Sequence, residues 1–275
     1  MRQTNRVALV TGASSGMGKA FAQALLDEGM VVYAVARRVD QMSELRRQGA
    51  ITLAMDITVE QDIQRVVAHI KKDHGGVDVL LNNAGFGLYG AMEDTDINEA
   101  RYQFEVNLFG LARLTQSLLP DMREQRKGTI INISSMGGKV YTPLGSWYHA
   151  TKHALEGWSD CLRLELHPFG INVVVIEPGA IETEFGGVLL EPMLRRSKNG
   201  AYQDLAKKVA AATGQSLKPG TLSTPQVIVD LVLKAVRSSN PKTRYVGGKY
   251  ARVLMSIRKW LGDRVYDKII MSTMR

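Results

Sequence analysis

Apolar and polar positions along the chain fall into blocks of two kinds. Short, nearly unbroken apolar runs at Val7 to Thr11, Val31 to Ala36, Ile51 to Met55, Val79 to Asn82, Thr129 to Ile133 and Asn172 to Glu177 read as strands buried on both faces. Between them apolar side chains recur at helical spacing: Met17, Phe21, Ala24 and Leu25, then Asp40 to Gln48, Glu60 to Asp73, Asn98 to Met122, and Tyr148 to His167. Strands and helices that alternate in this way predict right-handed βαβ units and a parallel sheet. A helix over Pro225 to Ser238 and a strand at Arg244 to Val246 complete it. The expectation is one α/β domain over residues 1–275, a doubly wound parallel sheet with helices on both faces.

Two stretches depart from the alternation. From Ile181 to Pro225 there is no strand pattern, and Gly186, Gly187, Pro192, Gly200, Gly214, Pro219 and Gly220 interrupt short helical pieces. So long a segment inside a compact domain is expected to be a substrate-binding loop or lid, residues 181–225. Further on, Val253, Leu254, Ile257, Trp260, Leu261, Val265 and Ile269 keep helical spacing beside Arg252, Arg258, Lys259, Arg264 and Lys268. Residues 249–275 therefore read as a basic amphipathic C-terminal extension.

With 275 residues, 45% of them hydrophobic, the chain can build one well-buried core and not two comfortable ones. The formal charge of +8 is concentrated at the end: from Lys242 to Arg275 nine basic residues face two acidic ones, which leaves +1 for everything before. A tail property of this kind is not the groove or recognition helix of a nucleic-acid binder, so no such partner is expected. The tail suits packing on its own domain or a neighbouring subunit, docking on an anionic membrane, or docking on an acidic carrier protein, with the first reading leading. The single cysteine, Cys161, excludes a disulfide framework and a Cys-rich metal site, and reads as a small apolar residue. Arg2 and Arg6 precede an apolar stretch, Val7 to Val10, that is shorter than the ~7–15 residues of a secretory signal. A cytoplasmic protein is expected, peripheral membrane contact through the tail being the open alternative.

The chemistry-bearing residues stand in two places. Thr11-Gly-Ala-Ser-Ser-Gly-Met-Gly18 follows a predicted strand and opens a helix, the setting in which glycines let a backbone approach a pyrophosphate and helix N–H groups face it. Far downstream, Tyr148 and Lys152 lie one turn apart on a single helix face and can share a proton network. At the end of the second strand an acid would hydrogen-bond the adenosine ribose, but the chain has Ala36-Arg37-Arg38. Guanidinium groups match a 2′-phosphate bidentately, so NADP(H) is favoured over NAD(H).

Six motifs in order, the Thr11 to Gly18 loop, Asn82-Asn-Ala-Gly85, Asn107, Ser135 in Asn132-Ile-Ser-Ser, Tyr148-x-x-x-Lys152, and Pro178-Gly179 followed by Thr183, resemble those of the short-chain dehydrogenase/reductase family over Val7 to about Thr183. The resemblance implies a Rossmann-like fold and a catalytic set of Asn107, Ser135, Tyr148 and Lys152. Tyr148 is the general acid in reduction and the base in oxidation. Lys152 favours its phenolate and holds the nicotinamide ribose, Ser135 polarises the substrate oxygen, and Asn107 holds a water that links Lys152 to solvent. Ser134 competes with Ser135, and the family pattern favours the second serine. Cofactor contacts are implied for Gly12, Ser14, Ser15, Gly16, Met17, Gly18, Arg37, Arg38, Asp56, Ile57, Asn83, Ala84, Gly85, Tyr148, Lys152, Pro178, Gly179, Ile181 and Thr183. Asp56 would accept from the adenine amino group and Thr183 would bond the nicotinamide carboxamide. No metal is expected; His149 and His153 lack the carboxylate pattern of a metal pair and read as packing or subunit-contact residues.

Substrate candidates come from three loops: Phe86, Leu88 and Tyr89; Met136, Tyr141, Leu144 and Trp147; Phe185, Val188, Leu189, Leu190 and Met193. About a third should prove to be core, but their apolar character points to a bulky hydrophobic carbonyl or alcohol. The expected activity is an NADP(H)-dependent reductase of such a compound, assembled as a homodimer or homotetramer. The alternatives are a 3-oxoacyl-carrier reductase and a non-enzymatic NADPH-binding regulator.

Overall fold

The computed structural model describes residues 6–216 and 220–274, with the side chains of 184–188 and 216 left out of the description. Seven strands, β1 (Val7–Thr11), β2 (Val31–Ala36), β3 (Ile51–Ala54), β4 (Val79–Asn82), β5 (Gly128–Ile133), β6 (Ile171–Pro178) and β7 (Arg244–Gly247), form one sheet in the order β3-β2-β1-β4-β5-β6-β7. All six pairings are parallel, with Leu9 opposite both Tyr33 and Leu80 at the centre. The apolar runs explain this arrangement: β1, β4 and most of β2, β5 and β6 are buried, so they need cover on both faces.

That cover is divided cleanly. On one face Ala8, Val10, Val32 and Ala34 meet Phe21, Ala22 and Leu25 of α1 (Gly16–Asp27), Leu45 of α2 (Ser43–Arg47) and Ile228, Val229 and Val232 of the later helix Gln226–Arg237. On the other, Leu9, Val35 and Leu80 meet Ile63, Val66 and Ile70 of α3 (Glu60–His74), Leu114, Leu118 and Met122 of α5 (Leu111–Gln125), and Leu162 and Leu166 of α6 (Ser146–Leu166). The switch from one face to the other occurs where β1 is flanked by β2 and β4. There the carboxyl ends of the strands open a crevice.

Three expectations need correction. The long helix predicted over Asn98 to Met122 runs from Ile97 to Gln125 as α4 (Ile97–Phe104), a π-helical turn (Glu105–Gly110) and α5. Its buried stripe passes through Gln103, Asn107 and Leu111, eight residues. An ordinary helix would overshoot by about 80° in that span, and the wider turn absorbs the drift. Second, the helical pieces expected in Ile181 to Pro225 are longer than its breakers suggest: α7 (Glu184–Arg196) carries Pro192 within it and α8 (Gln203–Ser216) follows, since Met193, Ala206 and Val209 gain burial against Val140 and Leu144. Pro219 lies outside the described residues. Third, the tail helix α10 (Ala251–Ser272), which follows α9 (Gln226–Arg237), is two helices joined at Gly262, with φ 75° and ψ 174°. The break buries Ala251, Tyr266 and Ile270 and leaves Val253, Trp260, Leu261 and Val265 of the predicted stripe exposed. Arg2 and Arg275 lie outside the described residues, and no described helix is long and apolar enough to cross a membrane.

The crevice depends on a missing side chain. A Cβ at Gly18 would stand 2.2 Å from the Gly12 carbonyl oxygen and 2.5 Å from Asn83 Nδ2. Neither backbone nor anchored amide can yield cheaply, so Gly18→Ala should lose about 1–3 kcal/mol of stability, measured as a shifted urea midpoint at unchanged m-value.

Candidate active site

Thr11, the last residue of β1, ties the crevice together. Its hydroxyl accepts from Asn83 N and Ala84 N, both at 3.0 Å, while Asn83 Nδ2 returns a bond to Thr11 O at 3.0 Å. The loop after β4 is thereby drawn against the glycine turn, where Gly12 takes φ 67° and a Cβ would lie 3.0 Å from Ala84 Cα. Below it Asn82 Nδ2 donates to Asn132 Oδ1 (2.9 Å) and Asn132 Nδ2 to Ser159 Oγ (2.9 Å), a buried amide ladder that joins β4, β5 and α6.

The resulting cavity holds about 400 Å³ and is lined by Thr11, Gly12, Ser14, Ser15, Ala36, Arg37, Arg38, Asp56, Ile57, Ala84 and Gly85. α1 opens at Gly16 with no side chain capping its first turn, so its N–H groups remain available to an anion. Arg37 and Arg38 are exposed at the rim, and neither has a carboxylate partner among the described residues. The cradle suits a dinucleotide: glycine floor, free helix terminus and two cations at the far end. Met17 and Gly18 do not line it; they pack behind it. Asp56 does, with Oδ1 already accepting from Thr58 N (2.9 Å) and Thr58 Oγ1 (2.7 Å). Phe86 belongs here and not to the substrate loops, its ring 5.7 Å from that of Tyr102, whose hydroxyl accepts from Arg37 (3.1 Å). Tyr102 carried no sequence signal beyond its place on a helix. Thr183 lies across the opening from Gly16, its Cβ 3.9 Å from where a Gly16 Cβ would stand. Gly179 and Ala180 bond back to Gly247 and Lys249, and Ile181 bridges to Ser223, so the Pro178 to Ile181 turn is fixed from behind.

Ser135, Tyr148 and Lys152 come together at the end of β5. Ser135 is hydrogen-bonded to the Tyr148 phenol and also accepts from Gly137 N (3.0 Å). Ser134 turns away, buried beneath Gly138. Lys152 Nζ donates to Ile133 O at 2.9 Å. Asn107, on the π turn, clamps the Phe86 backbone through Oδ1 (3.0 Å) and Nδ2 (2.9 Å), and Nδ2 also reaches Thr151 Oγ1 at 3.1 Å. Thr151 in turn donates to Tyr148 O (2.8 Å), a link from the π turn to the tyrosine that the motif spacing did not disclose.

Burial governs the electrostatics. It pushes the Tyr148 phenol well above its ordinary value, with Tyr89 adding to the effect and the Ser135 hydrogen bond opposing it. The Lys152 ammonium, which the resemblance expects to favour the phenolate, is bonded to the Ile133 carbonyl. Burial also pushes Lys152 down to about 8, the Glu156 carboxylate one turn on opposing it. Behind them Glu156 and Glu177 are both buried and meet Arg244 at 3.0 and 3.6 Å, and Glu177 is driven up to about 7 by burial and by the Glu156 charge.

The substrate candidates divide. Leu88 and Met193 are core, as a share of them should be; Met136, Tyr89 and Leu190 are half-buried around Val140 and Leu144. Tyr141, Leu144 and Trp147 face a second hollow of about 960 Å³ whose lining does not include Tyr148 or Ser135. The side chains of Phe185 and Val188 lie outside the described residues. Cys161 is exposed. His153 also faces outward, whereas His149 is buried, its Nε2 accepting from Thr142 N (3.0 Å) and its Nδ1 bonded to Gly137 O (3.0 Å).

The profile of a family described as short chain dehydrogenase matches residues 6–192. A 3-ketodihydrosphingosine reductase of Bacteroides thetaiotaomicron is 34% identical, the alignment covering 94% of each chain. A probable short-chain type dehydrogenase/reductase of Helicobacter pylori is 33% identical over 96% of each. Among solved structures, a short-chain dehydrogenase from Streptomyces avermitilis superposes with a TM-score of 0.78 at 36% identity over 98% of each chain.

His149 gives a test of the packing beneath the tyrosine. Burial lowers its pKa from 6.5 to about 4, so the unfolded chain binds a proton there that the folded chain refuses, and its contribution to stability is lost as pH falls through that window. His149→Gln keeps a donor and an acceptor but cannot be protonated. Relative to it, the parent chain should lose about 3 kcal/mol between pH 6.5 and pH 4, read from urea midpoints at each pH.

Proposed function

This chain belongs to the short-chain dehydrogenase/reductase family of nicotinamide-dependent oxidoreductases, and on that premise we propose that it is an NADP(H)-preferring reductase of a hydrophobic ketone or aldehyde, reversible as an alcohol dehydrogenase. The observation that carries this reading is the half-buried Ser135 with the buried Tyr148 and Lys152, set beside a glycine-floored cleft whose rim holds Arg37 and Arg38 where an acid would select the unphosphorylated cofactor. The bound cofactor supplies the hydride. Ser135 donates to the substrate oxygen as charge grows on it, and Tyr148 gives that oxygen its phenolic proton. Lys152 compensates the charge left on the phenol. A phenol raised by burial is a weaker acid, so proton transfer from Tyr148 calls on the neighbouring Lys152 ammonium to stabilise the phenolate that remains. Asn107 and Thr151 hold the tyrosine's helix and supply polar groups for a proton path.

The Bacteroides relative's name supports a ketone on a long apolar chain as the substrate class, and the half-buried Tyr89, Met136 and Leu190 suit it. α7 and α8, residues 181–225, act as the lid over it. Exposed Phe109 and Leu164, on adjoining helical segments, support assembly as a homodimer or homotetramer.

Tyr148→Phe should cut kcat/KM for NADPH-linked ketone reduction by about 10²–10⁴ while NADPH still binds. Turnover absent from the parent chain across a panel of hydrophobic ketones, with NADPH bound tightly, would instead favour a regulator; faster reduction of a carrier-linked 3-oxoacyl chain than of any free ketone would favour the carrier reading. Arg37→Asp should reverse the NADPH over NADH preference in parallel kcat/KM measurements. The reductive rate should fall as pH rises through about 8, where Lys152 loses its proton, and Glu156→Gln should move that limb to lower pH because the opposing carboxylate is gone.

A further inference from the structure

We propose that the outward face of α10 docks on an anionic lipid bilayer. Four apolar side chains of this helix stand in solvent on either side of the Gly262 break: Val253 is 63% exposed, Trp260 75%, Leu261 57% and Val265 39%. Three of them directly follow a cation, in Arg252-Val253, Lys259-Trp260 and Arg264-Val265, and Lys268 extends the row. The Lys259 ammonium sits over the Trp260 ring at 4.8 Å. None of these four cations has a carboxylate partner among the described residues.

The two acids of the helix are exposed but already engaged with other side chains of the protein. Asp263 is paired with Arg258 at 3.1 Å, and Arg258 is itself turned inward, bonded to Lys139 O and stacked over the Tyr141 ring at 4.6 Å. Asp267 accepts from the Tyr141 hydroxyl at 2.9 Å, and Tyr266 bonds Tyr141 O from the buried side. What remains outward is an indole, three aliphatic side chains and a row of uncompensated cations, which is the composition of an interfacial helix. A second copy of the chain is a poorer occupant, because a two-fold contact would set these four cations against themselves. An acidic protein would satisfy the charge and leave the exposed indole and Leu261 without the apolar layer they match. The opposite side of the helix packs through Leu254, Met255, Tyr266 and Ile270 on Tyr89, Val140, Leu144, Leu190 and Met193. Tyr89 lies 5.9 Å from Tyr148 between ring centroids. The docked helix would therefore set the wall of the reaction site against the membrane surface.

Flotation of the full chain with phosphatidylcholine vesicles, with and without about 30% phosphatidylserine, tests the proposal without any turnover, so its outcome is independent of the reaction assigned above. The chain should float with the anionic vesicles and not with the neutral ones, and added salt should release it. Lys259→Glu with Arg264→Glu should weaken partition by at least about tenfold, each cation near a charged surface contributing on that order. Trp260→Ser with Leu261→Ser should abolish it, with the far-ultraviolet dichroism and the activity of the parent retained. No flotation with anionic vesicles overturns the proposal. So does equal flotation with both kinds, or a dimer in light scattering that the Trp260→Ser, Leu261→Ser variant dissolves.

Discussion

Parallel strands cannot be joined by tight hairpins; each connection must cross a face of the sheet before the next strand begins. Seven strands laid in that way deliver their carboxyl ends to one edge, and everything with chemical character in this molecule is hung from that edge. Thr11 closes β1, Arg37 and Arg38 follow β2, Asp56 follows β3, Asn83 follows β4, Ser135 follows β5, and the Pro178 to Thr183 turn follows β6. Tyr148, Lys152 and Asn107 differ in origin, since they come from helical segments, yet α6 is held at the same edge by Lys152 on Ile133 and by Ser159 on Asn132. The sheet thus acts as a jig: residues more than a hundred positions apart meet because their strands are registered by backbone hydrogen bonds.

Within that frame polar groups are buried in pairs and ladders. Asn82 donates to Asn132 and Asn132 to Ser159 in the interior, and Asn107 satisfies both backbone groups of Phe86 while reaching Thr151. Such networks are rigid because any half-broken state leaves an amide unpaired in a low-dielectric interior. The same low dielectric moves phenol and ammonium in opposite directions, each toward its neutral form. Close to the reacting edge, order and altered acidity have one cause.

Much of the fold was legible because strands buried on both faces must be continuous apolar runs, and the six strongest runs all became strands. The motif residues were legible too, since glycine turns and the Tyr148 to Lys152 spacing are local. What could not be read were features set by partners distant in sequence. The π turn exists because Gln103, Asn107 and Leu111 must all face inward, a demand that helical periodicity alone does not announce. α7 and α8 are stabilised by Val140 and Leu144 and by the tail, so Pro192 and the glycines misled. The tail read as one stretch of helical spacing and proved to be jointed at Gly262. Phe86, read from its loop as a substrate candidate, lines the cavity that holds Arg37 and Asp56, because loop residues carry no record of the wall they face.

Glu177 and His149 are both buried near the reacting tyrosine and lysine, and both are held neutral, but with opposite sense. The carboxyl keeps a proton that the unfolded chain gives up between pH 4.5 and about 7, so its contribution weakens as the medium becomes less acidic. The imidazole refuses a proton over nearly the same interval, from 6.5 down to about 4, and weakens as the medium becomes more acidic. Two slopes of similar size and contrary direction largely cancel. These two buried groups thus offset each other like the strips of a bimetal couple, and the acid limb of stability is left to the carboxylates that arginine partners hold low, Glu28, Glu99 and Asp160.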